Sequence, residues 1–232
     1  MINNKTVLAI IPARKGSKRL PSKNKLNLNG KPLISWTIES AKKSKFIDCI
    51  VISSDDEDIL NIAKSYDLEP PFIRPDFLSN DEAKTLDVII HSIDLYKSHN
   101  KNFDIVILLQ PTSPLRDSDD IDNSLRLINN KNKSIVSVSE SDHSPEWSNV
   151  LPPDLSLKSF IKEEIINKRS QDLPTYYKIN GAIYVAEIDY LLKNKSFFGD
   201  KSKAYIMPKN KSIDIDNKLD FEICKIIMNE NN

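Results

Sequence analysis

Glycine is scarce, with four residues in a chain of 232. The one that falls in a basic stretch, Gly16, has no glycine five residues upstream and no Gly-Lys-Ser/Thr order after it, so a Walker phosphate loop is excluded. Cysteine is scarcer still. Cys49 and Cys224 lie in apolar segments and make no CxxC, so they read as buried free thiols in a reducing compartment. The three histidines, His91, His99 and His143, lack metal-ligand spacing, and the first two fall in one expected helix as surface or packing residues. No apolar stretch approaches a membrane span, and the N-terminal apolar run is too short for a signal peptide. The expectation is a cytoplasmic protein with no membrane partner. Net charge is also missing: 33 Lys and Arg against 33 Asp and Glu. That balance argues against a general nucleic-acid binder, and 7% aromatic content gives little support to an RNA-binding module. There are no internal repeats and no low-complexity tract.

What is present is organised around residues 10–24. The run Val7-Leu8-Ala9-Ile10-Ile11 reads as a short buried strand that stops at Pro12. Beyond it, Arg14, Lys15, Lys18, Arg19, Lys23 and Lys25 make six cations with no acid among them. A loop so charged at the carboxyl end of a core strand stands where ligands bind in open α/β sheets. A polyphosphate suits it, because the Lys and Arg heads neutralise the anion while Gly16 and Ser17 let backbone N–H groups approach. The other reading of such a loop is a solvated basic face.

The rest of the chain alternates. Asn29-Gly30-Lys31-Pro32 is a turn into a helix striped by Leu33, Ile34, Ile38 and Ala41. Residues 48–53 are a strand, and Asp55 to Asp58 open a helix that runs to Tyr66. This βαβα start predicts a parallel sheet with right-handed crossovers. An irregular stretch, 70–84, contains Pro70, Pro71, Arg74 and Pro75. A helix over 85–98, a strand over 103–109, a helix capped by Asp117 to Asp120 and a strand over 134–139 follow. The alternation breaks down over 140–175, which reads as an insertion outside the sheet with possible short strands at 157–161 and 164–167. Strand 180–185, helix 188–194, short strands at 204–207 and 212–216, and a helix from Asn217 complete a single domain, 1–232, a length ample for one core.

Asp214-Ile215-Asp216 is a second anchor. If 213–216 is a strand, both carboxylates point to one face and, beside a polyphosphate, suit Mg²⁺. The alternative is that Asp216 merely supports the start of the last helix.

Taken together, these stretches resemble the acylneuraminate cytidylyltransferases. The resemblance rests on Ile11-Pro12-Ala13-Arg14 with Gly16-Ser17-Lys18 and Lys23-Asn24, on Arg74-Pro75, on Leu109-Gln110-Pro111-Thr112-Ser113-Pro114-Leu115-Arg116 and on Gln171-Asp172-Leu173-Pro174. It continues through Asn180-Gly181-Ala182-Ile183-Tyr184, Phe197-Phe198 and Ser212-Ile213-Asp214-Ile215-Asp216, and so covers nearly the whole chain.

The resemblance implies an α/β protein with the three-layer α/β/α, Rossmann-like nucleotide-diphospho-sugar transferase fold. Its sheet would be mixed and mostly parallel, with 140–175 as a small inserted dimerisation segment of a homodimer. It implies CTP held by Arg14, Lys18, Lys23 and Asn24 at the triphosphate and by Arg74 and Thr85 near cytosine and ribose. It implies a nonulosonic acid held by Gln110, Asn180, Tyr184, Phe197 and Phe198. Asp214 and Asp216 would bind Mg²⁺. Arg14, Lys23 and Asp216 would be catalytic as CMP passes to the anomeric hydroxyl and pyrophosphate leaves. Relatives commonly place Arg directly before Gln-Asp-Leu-Pro; here Ser170 intervenes and Arg169 stands one place earlier, the residue assigned to the sugar carboxylate. Gln and Asn carry the donors and acceptors that an N-acylated, polyhydroxylated sugar requires, and paired aromatics either cover its acyl group or pack in the core. Legionaminic, pseudaminic or Kdo acid are alternative acceptors, and a non-catalytic nucleotide sensor is the alternative of another class.

Overall fold

The computed structural model of the chain describes residues 1–68 and 72–230. Pro70 and Pro71, in the stretch expected to be irregular, lie outside the described residues. In chain order the elements are β1 (Val7–Pro12), β2 (Asn27–Leu28), β3 (Lys31–Pro32), α1 (Leu33–Lys43), β4 (Cys49–Ser53), α2 (Glu57–Ser65) and α3 (Thr85–Ser98). They continue as β5 (Ile105–Leu109), α4 (Ser118–Arg126), β6 (Ser134–Glu140), β7 (Tyr177–Glu187), α5 (Ile188–Asn194), β8 (Ser202–Ile206) and α6 (Lys218–Glu230).

Six strands form one sheet in the order β4-β1-β5-β7-β6-β8. β1 runs parallel to β4 and β5, β6 runs parallel to β8, and β7 is antiparallel to both of its neighbours. The sheet is therefore mixed and mostly parallel. Alternate residues of β1 serve opposite faces, as strand geometry requires. Val7, Ala9 and Ile11 pack with Ile34 and Ile38 of α1, Ile59 of α2 and Ile121 of α4. Leu8 and Ile10 pack with Ile89 and Ile93 of α3 and Leu191 of α5. Helices on both faces bury β5 and residues 7–11 of β1 fully, which is why both read as unbroken apolar runs. α6 lies apart, with Cys224 and Met228 on Leu28, Leu33 and Ile215.

Local chemistry fixes the helix starts. The Asp56 side chain accepts from the Asp58 N–H, and Asp117 and Asp120 form a reciprocal capping box on α4. Two expectations fail. Residues 157–161 and 164–167 make turns, not strands, because no sheet edge lies beside them to take their backbone hydrogen bonds; Leu157 and Ile166 stand 65% and 59% exposed. Residues 212–216 join no ladder either. They are tied instead by the Ile215 N–H, which donates to the carbonyl of Thr112 in the loop after β5 at 2.8 Å, and by Ser212 Oγ, which accepts from Asn180 of β7 at 2.9 Å.

Candidate active site

The basic loop leaves β1 at its carboxyl end and is fastened at several points. Ala13 N–H donates to the Ser53 carbonyl at 2.9 Å, and Lys15 N–H to Asp55 at 2.8 Å. Lys25 reaches Asp56 at 2.9 Å and Asp58 at 2.7 Å, hydrogen bonds that raise its pKa and spend its charge on the α2 start. The Asn24 amide donates to the Arg14 carbonyl at 3.4 Å. Lys15 is exposed and lies outside the cavity, whereas Arg14, Lys18, Arg19 and Lys23 turn inward.

They line a cavity of about 550 Å³ between the loop, α3 and the end of β5. Arg14, Lys18, Lys23, Asn24, Arg74, Thr85, Gln110 and Asp216 all face it. Two carboxylates occupy the cations. Asp81 accepts from Arg14 at 2.9 Å and Lys18 at 2.6 Å, and these partners hold its pKa below the ordinary range. Asp216 meets Arg19 at 2.8 Å and Lys23 at 3.5 Å; Lys23 also donates to the Ile215 carbonyl at 2.5 Å. Arg74 is buried, donates through Nε to Ser53 Oγ at 3.0 Å and through a second nitrogen to the Ser53 carbonyl. Burial lowers its pKa to about 10, against the raising effect of the Asp55 charge. Thr85 opens α3 and lines the same space, which brings a helix N-terminus to the cavity.

Gln110 also borders a second cavity, of about 790 Å³, shared with Asn180, Gly181, Tyr184 and Asp214. Burial raises the pKa of Asp214, and the Asp216 charge adds to the rise. Burial likewise raises that of Tyr184, with Asp214 contributing. The two acids do not share a strand face, contrary to the expectation from 213–216. Asp214 lines the second cavity and Asp216 the first, beside the basic loop; Gln110 stands on the ridge between the two.

Some sequence-predicted residues are placed elsewhere. Asn180 borders the second cavity, but its amide is spent internally. Oδ1 accepts from Ser137 Oγ at 2.6 Å and Ala182 N–H at 3.2 Å, while Nδ2 donates to Ser212 Oγ at 2.9 Å and Met207 Sδ at 3.3 Å. Phe197 is buried in the core, its ring 5.4 Å from that of Tyr184, and Phe198 is half exposed beyond it; neither lines either cavity. The adjacent aromatics diverge because one completes the α5 face of the sheet. Arg169 is exposed in the inserted segment and also lies outside both cavities. Sequence reasoning missed Asp81 as the partner of two loop cations, and it missed Lys178 and Lys209, which border the second cavity paired to Asp142 at 3.0 and 3.6 Å. Asp81 sits in an irregular run without periodicity, so no local signal marks it.

The donors present fit a magnesium ion. Among the described residues no group of three or more His, Cys, Asp and Glu could hold a metal. Asp214 and Asp216 are hard oxygen donors whose mutual repulsion a cation would relieve, and Mg²⁺ characteristically takes one or two carboxylates with phosphate oxygens and water.

This architecture is shared with solved nucleotidyltransferases. The fold matches a structure of CMP:2-keto-3-deoxy-manno-octonic acid synthetase complexed with CTP at a TM-score of 0.73 and 18% identity, over 98% of this chain and 100% of that one. It matches 4-diphosphocytidyl-2C-methyl-D-erythritol synthase of Anaerococcus prevotii at 0.67 and 15%, over 98% of each chain. The class these two likenesses define is one of fold, a three-layer α/β protein with a mixed, mostly parallel sheet. A family model described as Cytidylyltransferase matches residues 8–226, and the chain belongs to that family, in its acylneuraminate cytidylyltransferase group. It is 36% identical over 232 residues to CMP-N,N'-diacetyllegionaminic acid synthase of Legionella pneumophila, covering 97% of each chain. It is 36% identical over 225 residues to a pseudaminic acid cytidylyltransferase of Campylobacter jejuni, again covering 97% of each. Identity to an N-acylneuraminate cytidylyltransferase of Escherichia coli is 37% over 230 residues, 97% of this chain and 53% of that protein.

Proposed function

We propose that the protein transfers CMP from CTP to the anomeric hydroxyl of a nonulosonic acid, an N-acylneuraminate, releasing pyrophosphate. The observation that carries this reading is the convergence of Arg14, Lys18, Lys23, Asn24, Arg74 and Thr85 on one cavity that meets a second, carboxylate-bearing cavity at Gln110. Arg14, Lys18 and Lys23 bind the triphosphate, with Asn24 bracing the loop at the Arg14 carbonyl. Arg74 and Thr85 serve the nucleoside side. Gln110 and Tyr184 orient the sugar; Asn180 supports them from within, and Phe197 backs the Tyr184 ring. The acceptor oxygen forms its bond to the α-phosphorus as the bond to pyrophosphate breaks, and Asp216 receives the proton, directly or through water. Asp214 and Asp216 would hold Mg²⁺, which supplies charge neutralisation at the phosphates. Catalysis of this kind is positioning and electrostatic stabilisation.

Pyrophosphate release with CTP and Mg²⁺ against N-acetylneuraminic, legionaminic, pseudaminic and Kdo acids tests the reading. Preference for N-acetylneuraminic acid is expected, and identities of 36 to 37% to relatives named for three of these acids make the whole panel necessary. Silence across the panel with CTP binding intact would replace it with an untested acceptor or with the nucleotide-sensor reading. The inserted segment, where Val150 is 87% and Leu155 69% exposed, supports a homodimer through 140–175, and Arg169 belongs to that segment. A monomeric mass in solution would reject it. Two free thiols, Cys49 and Cys224, support the cytoplasm as the compartment.

A further inference from the structure

Among the described residues Arg116 is the largest side chain less than 2% exposed, and no carboxylate among them hydrogen-bonds to it. Its Nη1 donates to the Gln110 carbonyl at 3.2 Å and the Ala182 carbonyl at 3.0 Å, and its Nη2 to Thr37 Oγ1 at 2.8 Å. Nε has no hydrogen-bond partner among the described residues. The pairing of β5 with β7 explains the first two bonds. Their ladder ends at Leu109 opposite Ile183. The next antiparallel pair would be Gln110 with Ala182, yet both carbonyls turn to one guanidinium. On its other side β7 slips register with β6 between Val136 and Val138, and Gly181 there adopts φ +74°. The strands therefore part where Gln110 enters the ridge between the two cavities.

We propose that Arg116 is a positioning residue: its guanidinium is the wedge that holds the ends of β5 and β7 apart and sets the Gln110 amide between nucleotide and acceptor. An apolar side chain of similar length would fill the volume but remove the donor that the two carbonyls share, leaving Gln110 only the Ser113 N–H at 3.3 Å. A lysine ammonium is a point donor, without the planar fork that spans two carbonyls and Thr37 at once. The inference rests on the cytidylyl-transfer reading, in which Gln110 faces the acceptor.

A double-mutant cycle of Arg116→Lys with Gln110→Ala tests it, read as acceptor KM and as CTP Kd by calorimetry. Arg116→Lys is expected to raise acceptor KM about ten-fold while CTP Kd stays within about two-fold, and the double variant to be no worse than Gln110→Ala alone. Losses that multiply, or CTP affinity that falls in step with acceptor affinity, would overturn the wedge. Should Arg116→Lys fail to fold, Thr37→Val, which removes only the outer acceptor, enters the same cycle under the same two outcomes. A wild-type enzyme silent with every acid defeats the transfer reading alone. The wedge is then read from hydrogen exchange of 110–112 and 181–183, expected to quicken in the variant, and unchanged exchange overturns it.

Discussion

Gly181→Ala separates what the backbone demands from what a ligand demands. Gly181 sits at φ +74°, in the left-handed region where a Cβ costs an L residue about 1–2 kcal/mol. Space is not the objection. An added Cβ would lie 3.7 Å from Asp214 Oδ2 and 4.0 Å from Gln110 Oε1, which is ordinary contact. Strain therefore outweighs crowding. In a domain of this size each kcal/mol moves the unfolding temperature by about 2–4 °C, so calorimetry should show a fall of about 2–8 °C. The methyl group would also stand between the Gln110 amide and the Asp214 carboxylate, so acceptor KM should rise while CTP KM holds. Gly16→Ala is the internal control. No atom lies within 4 Å of its added Cβ and its φ is ordinary, so the folded chain does not require glycine there. Its unfolding temperature should stay level or rise by about 1–4 °C, the gain of removing unfolded-state freedom, while CTP binds more weakly because a phosphate must approach that backbone. An unchanged unfolding temperature and acceptor KM in Gly181→Ala would refute the reasoning.

Asp81→Asn should tighten CTP several-fold by calorimetry, because Asp81 and the triphosphate compete for Arg14 and Lys18; unchanged or weaker binding would deny those cations to the triphosphate. Asp216→Asn should abolish Mg²⁺-dependent pyrophosphate release while CTP still binds, and full activity would remove Asp216 from the site. Glu187 gives a pH test. Burial alone would raise its pKa, but hydrogen bonds from Lys133 at 2.8 Å and from Lys5 win and lower it from the ordinary 4.5. A lowered folded pKa contributes stability that is full above 4.5 and lost as pH falls through the folded value. Glu187→Gln should thus be less stable than wild type in urea at about pH 7, with the gap narrowing as the pH falls below 4.5, and a constant gap would exclude the linkage.

The parts of this molecule legible in the sequence are those whose causes are local. β1 and β5 are apolar runs because both of their faces are covered, and that needs no knowledge of what covers them. α3 and α5 begin and end where the pattern places them, at 85–98 and 188–194. The loop cations and Gln110 meet in the cavity because strand ends deliver them to one edge. What the sequence does not show depends on a distant partner. Asn180 borders the second cavity, as its type suggests, but that its amide goes to Ser137, Met207 and Ser212 is set by residues 43, 27 and 32 positions away. Segments 157–161 and 164–167 have strand composition and no neighbouring edge, which composition does not encode. Arg116 joins both cases. Its motif marks it as part of the turn after β5. Its work is set by a carbonyl of β7, a hydroxyl of α1 and the point where an antiparallel ladder stops, 66 and 79 positions from it in the chain. A motif can thus locate a residue at a site while leaving open whether it touches substrate or holds the residue that does, and here burial decides for the second.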